Sequence, residues 1–396
     1  MKKLSYKHTM AASIMGYLAL AITNAYVPLL YVTFKDTYGI SLEKIGILAT
    51  VNFTCQVLAD LFAPKIIGKF GYKKCVVASL FIECFGVVCL TILPDVFANP
   101  LAGLLTAGAV YAVGAGTMEV LVNGIVEACP NDSKSGAISF LHSGYCWGCI
   151  LLVSVSTAFF TFFGTENWKL ITALWAIIPF VNAIFFMFVP VRSLEEIGEA
   201  TVTPKKLVSM KSFWIMAVLV LLAGASEQAI SQWVSAFAEE ALGVSKTTGD
   251  LAGVLMFALM MGISRTVYGT FSKKINLYKY MMFSLSLCVV SYLVITLSPW
   301  PVVSLIGCAV CGFSVGILWP GALSLSAGEI KGGIALFSFL ALAGDLGCSI
   351  GPSTVTAASS VLGGNLNMGM LCAIVFPVTT LIILAVRNKK GTLVQR

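Results

Sequence analysis

Charge is scarce in this chain. Of its 396 residues only 11% are Asp, Glu, Lys or Arg, less than half of the roughly 25% found in soluble domains. A water-soluble globule is excluded on that ground. Histidine is rarer still, with two residues in all. The phosphate-cradling G-x(4)-G-K-[ST] is absent, and so is the zinc-binding H-E-x-x-H. ATP-driven transport and metal-dependent hydrolysis therefore lose support, and neither cofactor, metal nor enzymatic activity is expected. The alternating stretches of about ten residues that build a membrane β-barrel are also missing.

What the chain does have is hydrocarbon: 58% hydrophobic residues and a mean hydropathy of +0.93. A helix crossing a bilayer needs ~20 consecutive apolar residues. Twelve blocks approach or exceed that length, at about 10–34, 45–67, 75–93, 101–128, 136–163, 169–189, 214–238, 250–271, 280–297, 302–327, 334–362 and 368–386. Backbone groups in hydrocarbon must be satisfied within their own segment, so the blocks are expected to be helices. The basic opening MKKLSYKHTM resembles a signal peptide, but apolar sequence runs on to Phe34. That exceeds the ~7–15 residues of a signal core, and a retained first helix is expected.

With the N-terminus placed in the cytoplasm and the sides alternated, inner segments hold 20 of the 25 Lys and Arg residues. Such a bias sets the orientation: a multi-pass protein of the cell membrane with both termini cytoplasmic. The net charge of +7 then belongs to topology, and no nucleic-acid partner is implied. The twelve cysteines fall in or beside the apolar blocks. The pairs Cys146/Cys149 and Cys308/Cys311 lack the flanking knuckles of a zinc site and read as small apolar packers.

The longest polar connection is PVRSLEEIGEATVTPKKLVSMKSF (190–213), which divides the blocks six and six. The expected domains are a six-helix bundle over 1–189, a cytoplasmic linker over 190–213 and a second bundle over 214–396. Polar residues inside the blocks repeat across the divide. Asn24 and Glu227 are 203 residues apart, as are His142 and Asp345, while Asp60 and Arg265 are 205 apart. The loops GKFGYKK (68–74) and SKKINLYK (272–279) share a similar offset. Parallel repeats of this kind mark one large class of secondary transporters.

Here the sequence resembles the major facilitator superfamily, by its helix count, its six-plus-six division and its basic loop after the second helix. The superfamily's loop reads roughly G-x-x-x-D-R-x-G-R-K. The stretch from Pro64 to Lys74 keeps Gly71, Lys73 and Lys74, has Lys69 for the arginine and Gly68 for the aspartate. The resemblance implies an all-α membrane fold of two pseudo-symmetric bundles that rock about a central site.

Ionisable groups in hydrocarbon are expensive and usually functional. Seven occur within the blocks: Asp60, Glu83, Glu119, His142, Glu227, Arg265 and Asp345. Glu119 shares a helical face with Asn123 and Glu127 by i,i+4 spacing. A carboxylate there would exchange its proton with whichever side water reaches it from, so Glu119 is the first coupling candidate, with His142, Asp345 and Asp60 behind it. His142, in FLHSGYCWG, titrates near neutrality in water, although a neutral histidine that only hydrogen-bonds fits equally well. Glu83 reads as structural.

The seventh block is the most polar: GASEQAISQWVSAF presents Glu227, Gln228, Ser231, Gln232 and Ser235 on one face beside Trp233. Amides next to an indole suit a polyhydroxy ligand. Asn24, Asn123, Arg265 and Trp319 complete the set of binding candidates, and Arg265 needs an anion, either a protein carboxylate or the substrate. Within the superfamily, Glu119 four residues before Asn123 resembles the L-fucose permease branch, where such a glutamate serves sugar and proton coupling. That branch carries an aspartate four residues before a proline in its first helix; here Asn24 precedes Pro28. The reading is a monomeric, proton-coupled carrier of a small sugar-like solute in a lipid bilayer. An exporter of amphiphilic compounds is the alternative, and a non-transporting receptor or scaffold on the same fold is the competing class.

Overall fold

The computed structural model describes residues 4–40, 42–198, 202–234, 237–238, 243 and 253–389. Among them there is no strand. Among the described residues twelve helices are long and apolar enough to cross a membrane: α1 (Tyr6–Leu29), α2 (Ile47–Phe70), α3 (Tyr72–Val96), α4 (Pro100–Ala128), α5 (Lys134–Phe163), α6 (Thr165–Phe188), α7 (Lys211–Ser231), α8 (Gly253–Phe271), α9 (Leu277–Leu297), α10 (Pro301–Glu329), α11 (Gly333–Val361) and α12 (Leu366–Arg387). Local chemistry sets several ends. Asn99 caps α4 by accepting from Leu101 N, with Pro100 following it. Asn276 caps α9 in the same manner. Gly71, at φ +83°, lets the chain turn from α2 directly into α3.

The chain divides into two compact units. Unit 1 comprises Met1–Asn131, Gly144–Val202 and Gly332–Ser338; unit 2 comprises Asp132–Ser143, Thr203–Lys331 and Phe339–Arg396. The first turns of α5 thus group with unit 2, and the first turns of α11 with unit 1.

Helices inside each unit approach through glycine, as expected where lipid removes the hydrophobic drive for association. In unit 1, a Cβ on Gly86 would lie 2.3 Å from Tyr111 N, and one on Gly114 would lie 2.5 Å from Glu83 N. The backbones of α3 and α4 therefore touch. An aromatic core closes one end of the unit: Tyr26 bonds Thr172 at 2.7 Å, and Phe34 packs edge-on to Trp168 at 5.2 Å. In unit 2, α11 rests on α7 through Gly344, Gly347 and Gly351. A Cβ on Gly347 would fall 2.0 Å from Leu221 O. Gly347→Ala is accordingly expected to destabilise the protein by ~1–3 kcal/mol, read as a lowered thermal unfolding midpoint in detergent.

Prolines inside the spans free carbonyls, because each lacks the N–H owed to residue i−4. Pro28 follows a π-helical turn, Ile22–Tyr26, and α1 breaks at Leu30. α7 breaks at Gln232–Trp233, the corresponding place in the repeat. Pro64 leaves the Asp60 carbonyl without its helical donor, and the Ser338 hydroxyl supplies one. Pro320 leaves the Gly316 carbonyl in the same position. There α10 divides into helical stretches Pro301–Val315 and Leu318–Glu329, and the ladder resumes with Gly321 N donating to Ile317 O at 2.8 Å.

Candidate functional site

Of the sequence-predicted residues of unit 1, Asn24, Glu119 and Asn123 fall into two polar stations along α1. The first surrounds Asn24, in the π-turn. Its Oδ1 accepts from Asn52 Nδ2 at 2.8 Å, Gln56 Nε2 at 3.0 Å and Thr23 Oγ1 at 3.3 Å. Asn52 and Gln56 are buried on α2 and Asn24 is half-buried. The second station holds Glu119. Asn123 Nδ2 donates to the Tyr17 hydroxyl at 3.0 Å, and the Tyr17 hydroxyl donates to Glu119 Oε1 at 3.5 Å. Asn123 also bonds the Glu119 carbonyl at 3.0 Å. Tyr17 and Asn123 are buried, whereas Glu119 keeps partial exposure. Asn24 and Tyr17 are seven residues apart on α1, two turns and ~10 Å, so they share a face. Asp60 is buried one turn beyond Gln56 on α2.

Unit 2 is organised around Arg265. Its Nη2 donates to Glu227 Oε2 at 3.0 Å, its Nε to Gly316 O at 2.8 Å and its Nη1 to His142 O at 3.2 Å. One guanidinium thus ties α7, the first turns of α5 and the carbonyl that Pro320 exposes on α10. Its own carbonyl accepts from Ser139 at 2.8 Å. Arg265 and His142 are buried. The anion that Arg265 required is therefore a protein carboxylate. The second Glu227 oxygen accepts from Gln228 at 3.3 Å, and Gln228 Oε1 accepts from Gln232 at 2.9 Å and Ser231 at 3.3 Å. The amide face expected on α7 is thus a connected chain running from the ion pair to Gln232; Ser235 lies outside the described residues. The Trp233 indole N–H is buried and donates to nothing among the described residues. Trp319 packs its ring on Gly224 and Gly344, with 9% of its surface exposed. Asp345 is buried on α11, its carbonyl taking the Ser349 hydroxyl at 3.2 Å.

The sequence profile of the Major Facilitator Superfamily matches residues 9–352. The chain belongs to that superfamily. It is therefore a multi-pass membrane protein of a transporter family rather than an enzyme. No curated protein matches it at the level of sequence, but solved structures do at the level of fold. A variant of the E. coli fucose:proton symporter FucP shares 13% identity over 96% of this chain and 98% of its own, with a TM-score of 0.79. FucP in an outward conformation gives 0.80 over the same shares, again at 13% identity. The proton:xylose symporter XylE bound to 6-bromo-6-deoxy-D-glucose gives 0.82 at 11% identity, over 96% and 95% of the two chains. All three share their fold with this chain.

For a superfamily member, two of its pentapeptides are deceptive. GFSVG (312–316) and GCSIG (347–351) spell the G-x-S-x-G of hydrolase nucleophile elbows. An elbow needs a strand-to-helix turn, but both serines sit within spans α10 and α11, and Ser314 Oγ is spent on Cys311 O at 2.7 Å. A cavity of about 600 Å³ in unit 1 lies at the α2–α3 loop, lined by Gly68, Gly71, Lys73, Lys74, Glu195 and Glu196 among others. None of the site candidates lines it.

Sequence reasoning passed over Asn52, Gln56 and Tyr17. The signal was present: Asn52, Gln56 and Asp60 repeat every four residues along α2, a polar stripe on an otherwise apolar helix. Tyr17 stands two turns before Asn24 on the same face of α1.

Proposed function

We propose that the protein is a proton-coupled secondary carrier of a small, uncharged, polyhydroxy solute, working by alternating access in a cell membrane with both termini cytoplasmic. The observation that carries the reading is the Tyr17–Glu119–Asn123 station. A phenolic hydroxyl donates to a carboxylate and accepts from a carboxylic acid, so it serves Glu119 in either protonation state. A proton can then come and go without leaving an unmatched group. The substrate side of the reading rests on amides: Asn24, Asn52, Gln56, Gln228 and Gln232 offer donors and acceptors without charge. Arg265 is engaged by Glu227 and two carbonyls, so it has little left for an anionic solute. The fold's kinship with fucose:proton and xylose:proton symporters points the same way.

Uptake into proteoliposomes across sugars, alditols, organic acids and dyes, with and without an imposed pH gradient, tests this directly. Neutral polyhydroxy compounds should accumulate, and only when the gradient is present. Movement of dyes or organic acids alone would refute the substrate class. Indifference to the gradient would refute the coupling.

A further inference from the structure

The amide station on α1 and α2 leaves one buried acceptor over. Two N–H donors, from Asn52 and Gln56, converge on the single oxygen Asn24 Oδ1 at 2.8 and 3.0 Å. An amide oxygen accepts but cannot donate. Asn52 Oδ1, on a residue only 4% exposed, accepts no hydrogen bond among the described residues. Buried acceptors are normally matched, and this one sits beside an N–H that is already in use.

A vicinal diol would complete the set. One hydroxyl oxygen accepts from Asn52 Nδ2 in place of Asn24 Oδ1, and the adjacent hydroxyl donates to Asn52 Oδ1. The proton of the first hydroxyl remains for Asn24 Oδ1, while Gln56 Nε2 keeps its acceptor. Asn52 Oδ1, Asn52 Nδ2, Asn24 Oδ1 and Gln56 Nε2 are then all matched. Asn24 is the half-buried member and lies in the π-turn before Pro28; it is the side chain through which a ligand would gain entry.

We infer that Asn24, Asn52 and Gln56 form a specificity-determining station that reads a vicinal diol on an uncharged ligand, with Asn52 Oδ1 demanding a hydroxyl that donates. The inference rests on the polyhydroxy reading above and narrows it. A carboxylate or phosphate at this place would meet amide donors but no countercharge, and Asn52 Oδ1 would stay unmatched. The station is two helical turns from Tyr17 on one face of α1, so ligand hydroxyls and the proton site address the same side of that helix.

The test is binding to the purified full chain in detergent, by calorimetry, with hexoses, pentoses, 6-deoxyhexoses and alditols as probes. For each binder, deoxy and fluoro analogues follow at every position. Fluorine accepts weakly but cannot donate, so at the hydroxyl facing Asn52 Oδ1 both replacements should weaken binding equally, by at least about ten-fold. Asn52→Leu should erase that dependence. If Asn52→Leu fails to fold by size-exclusion profile, the wild-type analogue series carries the test, and the absence of any position where deoxy and fluoro replacement both weaken binding overturns the station. A sugar that binds with fluoro analogues tolerated at every position overturns the station and leaves the carrier reading standing. So does a sugar whose analogue profile is the same in wild type and Asn52→Leu. If no member of the panel binds, the station and the polyhydroxy reading fall together.

Discussion

Arg265→Met is expected to destabilise the protein by about 3–5 kcal/mol, seen as a large drop in the denaturation midpoint of purified protein in detergent. The substitution keeps most of the side-chain volume, so the loss comes from what the guanidinium leaves behind. Glu227 would be a buried carboxylate without its cation, and the Gly316 and His142 carbonyls would each lose a donor. Glu227→Gln should do less harm, because an amide oxygen still accepts from Nη2. The double variant should be more stable than the sum of the two losses predicts, by about 1–3 kcal/mol of coupling.

The proline supplies a sharper check. Gly316 O needs Arg265 only because residue 320 has no N–H to offer. In the Arg265→Met background, Pro320→Ala restores the i→i−4 donor and should recover about 1 kcal/mol. In the wild-type background the same change sets a helical N–H in competition with Nε and should bring no such gain. If Arg265→Met melts like wild type, the buried ion pair does not hold α7, α8 and α10 together.

The twelve spans were legible because hydrocarbon imposes a length. The block read as 101–128 is helix Pro100–Ala128, and that read as 334–362 is Gly333–Val361. α2 extends past its apolar block to Phe70, with Lys65 and Lys69 exposed on its last turns. Arg265's need for an anion could be read from hydropathy alone. Its choice of Glu227 could not, because the pairing depends on which faces of α7 and α8 meet. The amides were harder still. Asn52 and Gln56 carry no charge, so nothing in a hydropathy reading marks them as costly, yet both donate to Asn24 Oδ1. The uses of Asp60 and Gly316 were hidden for another reason. What matters there is a backbone carbonyl, visible in sequence only as a proline four residues later. The spacings Asp60–Pro64 and Gly316–Pro320 repeat Asn24–Pro28, and in all three the freed position lies at a polar node of the unit.

Glu119→Gln is expected to remove gradient-driven accumulation while sparing exchange of solute at equal pH. One proton per solute against a one-unit pH difference supports about ten-fold accumulation, because each unit is worth ~1.36 kcal/mol; the variant should hold the ratio near one. The introduced amide would still accept from Tyr17 and would still fill the space beside Asn123, so binding geometry survives and only the titratable proton is lost. Tyr17→Phe separates the carboxylate from its partner. It strips the hydroxyl from between Asn123 and Glu119, leaving Glu119 able to titrate but without the group that serves both of its states. Coupling should persist with its pH of half-maximal uptake displaced, measured as counterflow and accumulation across external pH. A Glu119→Gln protein that concentrates solute as wild type does under the same gradient would move the coupling site elsewhere. Asp60 and Asp345 are then the next carboxylates to replace.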